Sequence, residues 1–143
     1  MGASIIAYWP GITEEQLESQ PGFHNDDRAW GNMMAEFENA SATVEAIRKL
    51  DATAILTYKT DGLDDEDVEW VTPVALRTAA ERIRDATTTG TPNGMQILKT
   101  YELGANNIDP LIDEFLVDLE DIIELTRWAD SEGATRMTLD VNW

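Results

Sequence analysis

The chain has 143 residues, 28 of them acidic against 10 basic, for a formal net charge of -18. A surface field of that sign repels nucleic acid and anionic membrane, and the sequence has no run of about 18 apolar residues to span a bilayer. The lack of cysteine excludes disulfides, thiol catalysis and cysteine-ligated zinc, and it fits a reducing, cytoplasmic setting. A chain of this length buries roughly 70% of its unfolded surface without staples, so residues 1–143 are read as one domain.

Ser4 to Trp9 is apolar on both alternations, which predicts a strand covered on both faces and central in its sheet. No basic segment precedes it and Pro10-Gly11 ends it, so it does not read as an export signal. Thr13 and Gln16 have capping-box spacing, with Ile12 and Leu17 at the staple positions, opening a short helix from about Glu14 to Ser19. After Pro21-Gly22, Asn25, Asp26 or Asp27 caps a second helix that turns Trp30, Met33, Met34 and Phe37 to one side. A break near Asn39 to Ser41 precedes another turn or two of helix, with Val44 and Ile47 inward and Arg48 and Lys49 in the favourable last turn.

Thr53 to Lys59 is β-rich and predicts a second strand, with Ala54, Leu56 and Tyr58 on one alternation. The loop that follows holds six acids in nine residues, Asp61, Asp64, Asp65, Glu66, Asp67 and Glu69, and Val68 to Val71 is a candidate short strand. Thr72 caps the next helix, Pro73 takes its first position and Val71 can staple against Leu76; the apolar spacing continues through Ala79, Ala80, Ile83 and Ala86 to about Thr87. Thr87 to Gly94 reads as a loop, and Met95 to Leu103 fits either period, with helix preferred.

The last third predicts a long helix from Ile108 to Glu132, in which Ile108, Leu111, Ile112, Phe115, Leu119, Ile122 and Ile123 form an apolar stripe. Asp109 and Pro110 suit its start and Gly133 its left-handed exit. The opposite side carries Asp109, Asp113, Glu114, Asp118, Glu120, Asp121 and Glu124. Beyond Gly133 the period becomes two: Met137, Leu139, Val141 and Trp143 alternate with Arg136, Thr138, Asp140 and Asn142, as in a strand with one buried and one wetter face. With no repeat and no linker, the predicted class is α+β: a small, mainly antiparallel or mixed sheet of three to four strands, packed by about five helices, ending in a long helix and a final strand.

Chemical signatures are sparse. Asp61 to Glu69 fails the EF-hand spacing, and a solvated acidic loop is its plain reading. His24, the single histidine, stands beside Asp26 and Asp27; that trio would serve a small metal-dependent or hydrolytic enzyme, while helix capping and a structural histidine account for it without chemistry. There is no Gly-x-Ser-x-Gly elbow, and Gly90 to Gly94 lacks the Lys-Ser/Thr continuation of a phosphate loop, so it reads as a turn. On the long helix, Val117 and Trp128 fall about opposite the apolar stripe in a sector shared with Asp121 and Glu124. Either another element packs over that indole or it is an anchor among carboxylates. No catalytic residue, metal ligand or cofactor is assigned.

Met1-Gly2 leading into a strand, Asp27-Arg28-Ala29-Trp30 and Val71-Thr72-Pro73 each opening a helix, and Trp128-Ala129 running through Gly133 into a strand resemble the small bacterial YfbM-like family. The resemblance implies a single bacterial α+β domain and supplies no catalytic residues. It leaves function open; the net charge and the absence of a catalytic constellation give the functional expectation, a non-enzymatic domain, an immunity-type inhibitor or adaptor for a basic protein partner. Its contacts would be Asp61, Asp64, Asp65, Glu66 and Asp67 in the loop, and Glu114, Asp118, Asp121, Glu124 and Trp128 on the helix. The alternatives are the enzyme built on His24 and a domain whose acidity serves only solvation or salt adaptation.

Overall fold

A computed structural model describes residues 4–21, 41–60, 64–104 and 112–142. In chain order these form β1 (Ser4–Tyr8), α1 (Glu14–Glu18), α2 (Ser41–Lys49), β2 (Tyr58–Thr60), α3 (Pro73–Thr89), α4 (Pro92–Gly104), α5 (Ile112–Ser131) and β3 (Thr138–Asn142), with 3-10 turns at Thr53–Leu56 and Asp65–Asp67. The described architecture is thus α+β, with five α-helices and a three-stranded mixed sheet. The expected helix of Trp30 to Phe37, the His24 to Asp27 cluster, Asp61, the Asp109-Pro110 helix start and Trp143 lie outside the described residues.

Where the sequence carries a local signal, the chain follows it. Thr13 and Gln16 close a reciprocal capping box on α1, each side chain bonding the other's backbone N–H, at 3.0 and 3.1 Å. Pro10-Gly11 makes a tight turn, with Gly11 at φ +86° and the Ile12 N–H returning to the Trp9 carbonyl. Thr72 accepts from the Ala75 N–H at 3.0 Å and Pro73 occupies the first position of α3. Gly90, at φ +79°, ends α3 in a left-handed cap that satisfies the Ala86 and Thr87 carbonyls.

The segment Gly90 to Gly94 is a hinge between two helices, and α4 begins inside it at Pro92. Gly94 is there because α4 crosses the end of α3 closely: a Cβ at this position would stand 2.4 Å from the Ala86 carbonyl oxygen. Met95 to Leu103 is accordingly helical, and Ile97 and Leu98 are buried in the core. That core joins Leu76, Ala79, Ala80 and Ile83 of α3 to Phe115, Leu119, Ile122 and Ile123 of α5, and to Ile5, Ala7 and Leu139 of the sheet. Each fully buried large side chain contributes about 1.5–3 kcal/mol.

Two strand expectations are corrected. β3, not β1, is central: the order is β1-β3-β2, with β1 antiparallel and β2 parallel to β3. β1 is an edge among the described strands, and the Gln20 amide covers it at Ala7, accepting from its N–H and donating to its carbonyl at 2.8 Å each. The expected strand from Thr53 starts only at Tyr58, because Thr53–Leu56 coils into a 3-10 turn that buries Ile55. Local bonds offset β propensity there: Ile55 N–H to the Ala52 carbonyl, and Thr57 Oγ1 to the Ala54 carbonyl at 2.7 Å. Val68 to Val71 contributes a single bridge, Val71 to Met137, rather than a strand.

The α3–α4 crossing gives a direct test. Gly94→Ala forces backbone apart and is expected to destabilise the fold by about 1–3 kcal/mol, lowering the urea midpoint with little change in slope. A midpoint equal to that of the wild-type chain would refute the close approach.

Candidate functional site

Register divides the sheet into two faces. Ile5, Ala7 and Leu139 point into the core, whereas Ile6 pairs with Asp140, Lys59 with Asp140 and Tyr8 with Thr138, so these residues share the other face. Thr138 on that face is buried nonetheless, donating its hydroxyl proton to the Thr57 carbonyl at 2.7 Å.

At the Tyr8 end of this face the acidic loop is tied down. The Tyr8 hydroxyl donates to both carboxylate oxygens of Asp65, at 3.1 and 3.0 Å. Its ring stacks on Trp70 with centroids 6.0 Å apart, the Lys59 ammonium sits 5.4 Å from the Tyr8 ring centre, and the Arg136 guanidinium 5.5 Å from that of Trp70. The turn Asp65–Asp67 is therefore fixed at its start through Asp65 and shortly after its end through Trp70. Asp64, Asp65, Glu66, Asp67 and Glu69 are exposed. Burial, reinforced by the Asp65 hydrogen bond and the Asp65 and Asp140 charges, raises the Tyr8 pKa and keeps the phenol protonated as donor.

A groove of about 300 Å³ is lined by Thr53, Ala54, Leu56, Thr57 and the two residues that flank Trp70 in sequence, Glu69 and Val71. Its apolar wall is rooted in the fold, since Ala54, Leu56 and Val71 also pack against the core.

The second expected contact surface, on α5, is not a continuous one. Asp118 is only 2% exposed and Asp121 is half-buried, whereas Asp113 and Glu124 face solvent. Glu120, outside the expected contact set, bonds Arg84 of α3 at 2.8 Å, which raises the Arg84 pKa further. The side chain of Glu114 lies outside the described residues. Trp128 leans on Trp9 with ring centroids 5.3 Å apart and packs against the core, so it is a structural side chain rather than an exposed anchor. Asp118 is buried because the buried arc is wide: from Leu125 and Asp118 to Ile123 it spans about 160° of helix, well beyond a single stripe.

Tyr8, Lys59, Trp70 and Arg136 were not singled out from the sequence. They stand far apart along the chain, and the pairing of β1, β2 and β3 together with the Val71–Met137 bridge brings them together. Among the described residues no group of three His, Cys, Asp or Glu could hold a metal ion. No described helix is long and apolar enough to cross a membrane. Comparison with known proteins adds no relative: no family model, no curated protein and no solved structure matches the chain.

Because the Tyr8 pKa is raised on folding, its contribution to stability is full below the ordinary tyrosine value of about 10 and lost as pH climbs through the raised one. Ultraviolet titration of Asp65→Asn should bring one of the three tyrosines to a lower midpoint. An unchanged titration curve would mean that the Tyr8–Asp65 bond does not form in solution.

Proposed function

We propose that this chain is a non-enzymatic, acidic protein-binding domain, of the immunity-inhibitor or adaptor kind, that docks on a basic protein through the turn Asp64–Asp67 and the adjoining aromatic pair Tyr8 and Trp70. The observation carrying this reading is that the acidic turn is held, not merely displayed. Acids needed only for solvation work equally well on a loose loop, whereas a phenol–carboxylate bond, an aromatic stack and two cation–ring contacts fix the shape of this one. Fixing the shape beforehand removes ordering entropy from the docking step. The charge of -18 supports the same reading by attracting a cationic partner over distance. The resemblance to the YfbM-like family fits a single bacterial α+β domain and leaves its function open, and the cysteine-free composition supports a cytoplasmic setting.

The test begins with affinity capture at low salt from the source cells, followed by kinetics on any stoichiometric basic protein recovered. Its association rate should fall about tenfold or more between 50 and 500 mM salt, and charge-neutralising changes at Asp64, Glu66 and Asp67 should flatten that dependence. A rate indifferent to both salt and these changes would sink the proposal, as would the absence of any stoichiometric partner.

A further inference from the structure

The groove lined by Glu69 and Val71 has the chemistry of a receptor for one long cationic side chain, and we infer that it takes an arginine side chain of the basic partner. This rests on the docking reading above, and it specifies what the partner must present. At about 300 Å³ the groove is at the small end of the roughly 300–1,000 Å³ range of ligand pockets, so it suits a single side chain rather than a cofactor. Ala54, Leu56 and Val71 offer an apolar wall for a methylene stem, and Thr53, Thr57 and Glu69 supply oxygen atoms for a charged head.

Among the described residues, Glu69 is the only ionisable one lining the groove; it is exposed, and no described residue bonds to it or forms an ion pair with it. Its neighbours Glu66 and Asp67 are exposed acids of the turn on the same segment. An anion would be repelled there, and a neutral ligand would leave the carboxylate unused. Guanidinium suits the site better than ammonium because its planar fork meets a carboxylate with two parallel hydrogen bonds and sheds water more readily.

The walls are preformed. Val71 exchanges backbone hydrogen bonds with Met137, at 3.1 and 2.7 Å, and the Thr57 hydroxyl closes the 3-10 turn on the Ala54 carbonyl. The Thr57 carbonyl, in turn, accepts the Thr138 hydroxyl, which fixes the far wall to the central strand.

The experiment is a titration of the full chain with n-butylguanidinium, followed by amide chemical shifts, with the neutral isostere n-butylurea as control. Saturable shifts at Ala54, Thr57, Glu69 and Val71, with affinity on the order of millimolar, are expected for the cation and not for the urea. Glu69→Gln, at an exposed position that does not bear on folding, should weaken the cation by about tenfold or more. Ala54→Leu, which fills the groove, should also remove the response. Shifts that never saturate, that centre on Asp64 to Asp67, or that survive Glu69→Gln would overturn the inference. The two readings fail separately. If the cation ignores the groove while the basic partner still associates in a salt-dependent way, the groove assignment falls alone. If the cation binds through Glu69 but no salt-dependent partner exists, the groove stands as a guanidinium site and the docking reading falls.

Discussion

The fold depends on its last strand. Among the described strands β3 is the only one to which both β1 and β2 bond, and Met137 just before it receives Val71 as well. Neither β1 nor β2 has a described sheet partner until the C-terminal residues arrive, so the sheet consists of contacts distant in sequence and its closure entropy is met late. The helical half is more local: α3 and α4 are consecutive and joined by a two-residue connection. α5 then lies against α3 and delivers the chain through Gly133, at φ +89°, to the start of β3. The acidic turn, the aromatic stack and the groove all hang on this one strand, through Arg136 before it, Met137 at its entry and Thr138 at its first position.

The charge is distributed to match. Bases are few, and several of those held in place mark a join between elements. Arg84 ties α3 to Glu120 of α5 at 2.8 Å. Arg82 holds Asp51 through both its carbonyl and its carboxylate, at 2.7 and 2.9 Å, where the chain leaves α2 with a non-glycine residue at φ +54°. Lys59 and Arg136 stand over the two aromatic rings beside the acidic turn. Surface pairs of this sort each contribute only about 0–1 kcal/mol, so they add little to stability, but they decide which acids are compensated and which are left to project a field. Asp64, Glu66, Asp67 and Glu69 belong to the second set among the described residues.

What could be read beforehand was whatever a few neighbouring residues decide. The Thr13–Gln16 box, the Thr72-Pro73 start, and the Gly90 and Gly133 exits all stand where spacing and backbone preference put them. The readings that failed needed knowledge of what lies across from a residue. Apolar alternation in Ser4 to Trp9 says that both faces are partly covered, and Ile6 and Tyr8 are indeed half-buried, yet it is silent on how many strands flank the segment. β propensity in Thr53 to Leu56 gives way because burying Ile55 under the helices rewards a turn. On α5 the spacing located the centre of the buried arc but not its width, and Asp118 falls inside the margin it left out.

The two tryptophans show the same limit acting on the site itself. Helical geometry sets Trp128 among acids, but the residue that follows β1, Trp9, is its neighbour and turns the sector inward. Trp70 had no such pattern, being one residue in an acidic loop, and its place depends on Tyr8 being held across from Thr138 by the central strand. An aromatic side chain among carboxylates is thus assigned to the core or to the surface by the elements packed around it, not by its own helix or loop. The candidate docking face accordingly moves from the helix to the sheet. There the aromatic pair and the acidic turn are positioned by contacts that depend on the central strand, and loosening β3 would disperse the cluster even with every acidic residue intact.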